Sequence, residues 1–161
     1  MNVIGPIADA VVAVLKGTAF AGVIADDVVA VGMTWEDGGS KRTERALVRP
    51  LSVDLPSDPR LRTDTSAQVT CSLEIVWEYA DRGGLQSAMQ TMADALAEAF
   101  GDGGPTLYSA LGSSDVAGAA LRVELGLPIF ENVPDTMEFS VGDADRITAR
   151  WPLSVRAWVT L

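Results

Sequence analysis

The last sixteen residues read Arg146-Ile147-Thr148-Ala149-Arg150-Trp151-Pro152-Leu153-Ser154-Val155-Arg156-Ala157-Trp158-Val159-Thr160-Leu161. One parity is apolar throughout: Ile147, Ala149, Trp151, Leu153, Val155, Ala157, Val159 and Leu161. The other holds Arg146, Thr148, Arg150, Pro152, Ser154, Arg156, Trp158 and Thr160. Successive side chains on a β-strand point to opposite faces, so this alternation predicts a long, half-buried strand. Chain ends fray unless they are tied down, and an apolar face kept to Leu161 predicts a packed terminal strand. At a rise of about 3.3 Å per residue the stretch spans roughly 50 Å, far beyond the usual strand. Such a length calls for a bend, placed at Trp151-Pro152, or a reach past its own domain toward a neighbour.

A second stretch carries the same code. From Ala67 to Tyr79 one parity is Ala67, Val69, Cys71, Leu73, Ile75, Trp77 and Tyr79, and on the polar parity only Val76 is out of place. Two long half-buried strands predict an antiparallel sheet with one covered face. The cover follows directly, because Leu85, Ala88, Met89, Met92, Ala93, Leu96, Ala97 and Phe100 recur at helical spacing and Gly101 closes the run. A further amphipathic helix is predicted over Val3 to Lys16, with Pro6 in its first turn and Gly17 as its stop.

Between them, Val28–Trp35 and Glu44–Leu55 read as β-prone runs joined by a long charged tip, Glu36 to Arg42. The second run alternates poorly, since Leu47, Leu51, Val53 and Leu55 share a parity that Ala46 and Val48 break. Residues 101–135 carry mostly turn chemistry, with a short strand expected over Ala119–Leu125 and continued by Ile129-Phe130, and another short strand is expected over Met137–Val141. The expected fold is α+β: a mainly antiparallel sheet packed on one face by two amphipathic helices. A long protruding β-hairpin is expected at 36–66, and residues 1–161 form one domain.

The 161 residues are 48% hydrophobic, enough for a core within a single domain. There is no histidine, which removes the commonest general base and metal ligand together. The one cysteine, Cys71, lies on an apolar parity and reads as a buried, inert thiol. No run approaches the ~20 apolar residues of a membrane span, and the N-terminus lacks the basic start of a secretory signal. A net charge of −10 argues against nucleic-acid binding. The charge is uneven: Lys41, Arg42, Arg45, Arg49, Arg60 and Arg62 face only Glu44, Asp54 and Asp58, so residues 41–62 carry +3 and the remainder −13. That polarity suits self-association, and a solvated basic loop produces the same pattern.

Candidate chemistry is sparse. Asp26-Asp27, Glu36-Asp37 and the pair Asp143/Asp145 lack the regular oxygen spacing and closing glutamate of a calcium loop. Gly101-Asp102-Gly103-Gly104 follows a helix, so it aims no helix N-terminus at a phosphate. The serines lack a histidine base, and the spacing to Lys16 or Lys41 singles out no pair. These readings point to no enzyme, no cofactor and no metal. Trp77 and Trp151 fall on apolar parities and read as core. Trp158, on the polar parity beside Arg156, covers a loop or anchors an interface, since Trp and Arg dominate interface hot spots.

The order of helix, hairpin, long strand, second helix and returning strands resembles the tail terminator family of long-tailed bacteriophages. The resemblance rests on overall length, on Val69–Tyr79 leading into Leu85–Phe100, and on the closing Ala149-Arg150-Trp151-Pro152-Leu153-Ser154-Val155 strand. It implies a virion protein of the tail and neck, assembled in the host cytoplasm. It also implies a homohexameric ring that caps the tail tube, ends its polymerisation and offers a docking face to the head connector or neck protein. Partners would be other copies of the chain, the tail tube protein and that connector. DNA would pass only as cargo, and no membrane is involved. The family has no catalytic residues to carry over. A ring closes through heterologous contacts, and the residues expected to serve them are Lys41, Arg42, Arg45, Arg49, Arg150, Arg156 and Trp158. A neck connector and a small acidic α+β binding module or enzyme of cellular origin are the rival readings.

Overall fold

The computed structural model of the chain describes residues 3–24, 44–79, 84–101, 107, 122–131 and 147–160. In chain order the elements are helix α1 (Ile4–Lys16), strand β1 (Glu44–Asp54), a 3₁₀ turn (Pro59–Leu61), strand β2 (Ser66–Tyr79) and helix α2 (Leu85–Phe100). Strands β3 (Arg122–Leu125), β4 (Ile129–Glu131) and β5 (Ile147–Thr160) follow. The five strands form one antiparallel sheet in the order β1-β2-β5-β3, with β4 also on β5, and the fold is α+β.

The two stretches with clean alternation become the two central strands. β2 and β5 pair in unbroken register from Ser66↔Thr160 to Tyr79↔Ile147. The apolar parities of both strands therefore face the same way, and Val69, Cys71, Leu73, Ile75 and Trp77 are buried with Ala149, Trp151, Leu153, Val155 and Ala157. The apolar stripes of α1 and α2 close over that face in one core cluster. In α2 the buried stripe is Leu85, Met92, Ala95, Leu96, Ala99 and Phe100, while Ala97 is exposed. The stripe is thus rotated from the expected one, because alanines satisfy a helical period on almost any face. The indoles of Trp77 and Trp151 meet with centroids 6.2 Å apart. The Trp77 indole N–H donates to Glu44 Oε1 at 2.8 Å, giving the buried ring's polar atom a partner.

The length of β5 has a simple resolution. Its whole described length is used within the sheet, because β2 matches it residue for residue. Trp151-Pro152 does not interrupt that register either. The effect of the proline falls on the other side of the strand. Pro152 O accepts from Gly126 N at 2.8 Å, and in an antiparallel strand a residue's nitrogen and carbonyl point the same way. The missing N–H is therefore turned away from β2, toward the short strands. There β3 stops at Leu125↔Leu153 and β4 starts at Ile129↔Arg150. Ile129-Phe130 accordingly forms a separate strand on the same edge of β5 and does not continue β3. Gly126 sits where a Cβ would stand 2.5 Å from Pro152 Cγ.

The irregular run also acquires a cause. The register of β1 against β2 shifts between Pro50 and Ser52. An extra residue in one strand exchanges its faces, so Ala46 and Val48 face the helices before Leu51 and Val53 does so after it. The β-prone run Val28–Trp35 and the charged tip of the hairpin expected at 36–66 lie outside the described residues, as does Met137–Val141. The hairpin that is seen joins β1 to β2 through the 3₁₀ turn, and the outer end of β1 from Leu51 to Asp54 is exposed. The chain leaving α1 runs beside the opposite end of β1, where Ala46 N donates to Val23 O at 2.8 Å.

Gly126→Ala is expected to lower stability by about 1–3 kcal/mol, the cost of overpacking a filled site, measured by denaturant unfolding. Burial, with the charge of Asp54 adding to it, pushes the Cys71 thiol up to about 11 from an ordinary 9.0. The unfolded chain releases this proton first as pH rises, so stability falls between pH 9 and 11. Cys71→Ala removes that slope, whereas an unchanged pH profile in the variant would contradict this account.

Candidate subunit interface

The sheet face away from the helices carries the polar parities of β1, β2 and β5. The registers set Arg45 opposite Glu78, Leu47 opposite Val76 and Arg49 opposite Glu74, with Arg150 opposite Val76 on the far side. Arg45 Nε donates to Glu78 Oε2 at 2.7 Å and Arg49 Nε to Glu74 Oε1 at 2.6 Å. Arg150 Nη1 lies 4.0 Å from Glu74 Oε2, so one carboxylate serves two guanidiniums. Leu47 and Val76 are buried between these pairs, as are Glu74 and Thr148. Val76 is therefore in place after all: its partner is Leu47, a cross-strand apolar pair set inside an ionic frame.

This arrangement alters the meaning of the uneven charge. Arg45 and Arg49 account for two of the six cations in residues 41–62, and both are matched by β2 carboxylates outside that segment. Arg60 likewise binds Asp58 at 2.9 Å, and that bond holds the Asp58 carboxyl below its ordinary range. Of the expected interface residues, Arg45, Arg49 and Arg150 thus belong to one ladder across three strands. Lys41 and Arg42 lie outside the described residues.

Arg156 and Trp158 lie farther along the same face, toward the hairpin turn, and both are half-buried. Trp158 is opposite Gln68, and Arg156 stands between Thr70 on one side and Arg122 on the other. Among the described residues no carboxylate meets Arg156, while Arg122, 70% exposed, reaches Glu124 at 3.1 Å. Arg122 escaped the sequence reading because only the register of β3 on β5 brings it beside Arg156. Its place on the polar parity of a short strand was the sole signal.

The helix side offers a different surface. A groove of about 590 Å³ runs between the end of α1 and the second half of α2. Its walls are small, Ala13, Gly17, Ala95 and Ala99, and Asp94 and Glu98 stand on it one helical turn apart. Large apolar side chains are also exposed at both edges of the sheet: Leu51, Val53 and Leu55 on the β1 side, and Leu127, Ile129 and Phe130 on the β4 side. Among the described residues no three of the acids and Cys71 group as a metal would require, and no helix is long and apolar enough to cross a membrane.

No family model matches the chain, and no curated protein sequence does. Among solved structures it is similar to the sheath/tube terminator of an extracellular contractile injection system, PVC, seen by cryo-electron microscopy in the extended state. The identity is 16% and the TM-score 0.42, over 100% of this chain and 57% of that one. The chain thus spans little more than half the length of that neighbour.

Glu74→Ala is expected to destabilise the fold by about 3 kcal/mol, because it leaves guanidiniums without their shared carboxylate on a largely buried face. Arg60→Ala, which breaks a solvent-exposed pair and keeps the Asp58 cap on the 3₁₀ turn, is expected to leave the melting temperature unchanged. Equal effects of the two substitutions in thermal unfolding would contradict the ladder's structural role.

Proposed function

We propose that the chain is a tail-terminator protein of a long-tailed phage. It caps the tail tube, ends tube polymerisation and presents a docking face to the head connector. The observation that carries this reading is organisational. The stretches on which the resemblance to the tail terminator family rests, Val69–Tyr79, Leu85–Phe100 and Ala149–Val155, fall in β2, α2 and β5. These are the two central strands of the sheet and a helix packed on them. The resemblance therefore concerns the core of the molecule and not its periphery.

In this role the chain works by shape and surface. A hexameric ring needs two unlike patches on each copy, and the molecule has two unlike layers, a helical one and a sheet face with arginines and a tryptophan. The acidic balance of the chain suits a ring through which DNA passes, since like charge keeps the cargo from sticking. The interface role of Lys41, Arg42, Arg45, Arg49, Arg150, Arg156 and Trp158 is part of the proposal. Arg45, Arg49 and Arg150 would act through the ladder, and Arg156 and Trp158 by contact.

Deletion of the gene from the producing phage is expected to give particles with overlong tails, measured by negative-stain electron microscopy. Tails of normal length would overturn the reading. Finished tails that fail to join heads would identify a connector instead.

A further inference from the structure

Two features remain outside the ladder and the core. One is the cationic corner of the sheet face, where Arg122 and Arg156 stand directly opposite each other with Trp158 two residues on. Like charges directly opposite on a sheet repel. Among the described residues the nearby Glu124 offsets one of the two, Arg122. The second is the groove between α1 and α2, where Asp94 and Glu98 bring two negative charges to walls made of small side chains.

We infer that these two surfaces are partners: the Arg122/Arg156/Trp158 corner of one copy seats in the α1/α2 groove of the next. Their charges are complementary: two guanidiniums and the carboxylate of Glu124 leave the corner positive, and the groove carries two carboxylates. Their shapes are complementary too. Ala13, Gly17, Ala95 and Ala99 leave room for broad side chains, and about 590 Å³ lies in the range that takes a drug-sized molecule. Asp94 is held in position by Gln90, whose Nε2 donates to Asp94 Oδ1 at 2.8 Å. Trp and Arg entering a groove with a fixed carboxylate have the composition of an interface hot spot. The corner is on the face away from the helices and the groove is in the helical layer. One copy cannot satisfy both surfaces itself, and the contact is heterologous, the kind that closes rings. The inference deepens the terminator reading and rests on the ring that reading requires.

Charge reversal tests the pairing on the full-length protein. Light scattering and sedimentation over a range of concentrations should show wild-type self-association, weakened about tenfold or more by either Arg156→Glu or Glu98→Arg alone. An equimolar mixture of the two variants should associate again, because each retains the surface the other has lost. Circular dichroism verifies folding, and Arg122→Glu with Ala13→Arg forms a second pair at exposed positions. Association unchanged by both reversals, a mixture that stays dissociated, or a wild-type chain monomeric at every concentration would overturn the proposal. None of these results fixes tail length, so the terminator reading is judged separately by the deletion.

Discussion

The pairing of β2 with β5 is the constraint on which the rest of the molecule depends. Its register runs without a shift from one end of both strands to the other. A slip of one residue would turn every core side chain of one strand to the outer face. With Trp77, Ile75 and Leu73 on one strand and Trp151, Leu153 and Val155 on the other, each large side chain so displaced would forfeit about 1.5–3 kcal/mol of burial. Few other registers could survive that loss. The helices then have one surface on which to settle, and β1, β3 and β4 have a template against which to align.

The outer face shows how the same register organises charge. Salt bridges between exposed groups contribute little, but a carboxylate held between guanidiniums beside buried Leu47 and Val76 is poorly screened by water. The ladder ties β1, β2 and β5 together on the side the helices do not reach. It also removes arginines from the pool available to a partner, so the effective surface charge of the 41–62 segment is lower than its composition suggests. Among the described residues of this sheet face, Arg156 and Arg122 stand outside the ladder, toward the hairpin turn.

The parts legible in the sequence were those in which one physical rule acts alone. Period-2 alternation in Ala67–Tyr79 and Arg146–Leu161 specified both central strands, since each has one buried and one polar face along its length. Leu85–Phe100 and Val3–Lys16 were legible as helices for the matching reason. Glu44–Leu55 was legible as a strand but not in its faces, because the bulge at Leu51 changes the face in mid-strand and erases the period. The separation of Ile129-Phe130 from β3 was not legible, because it shows only in the registers of the two runs on β5, on either side of Pro152, distant in sequence and adjacent in space. The residues of β5 expected at an interface, Arg150, Arg156 and Trp158, were legible as a polar parity, but their contacts were not. Nothing along the chain distinguishes Arg150, committed to Glu74, from Arg156, which meets no carboxylate among the described residues.

The Gly126–Pro152 contact bears on how the molecule behaves in a crowd of its own copies. An uninterrupted edge strand is a template on which another chain can add, and repeated addition builds fibres. Among the described residues the neighbour of β5 is divided at Pro152 into two runs of four and three residues, each a short template for a further strand. The exposed Leu127, Ile129 and Phe130 then sit beside a broken ladder and not along a continuous one. Among the described residues, greasy side chains at this margin thus stand beside a ladder too short to guide a long added strand.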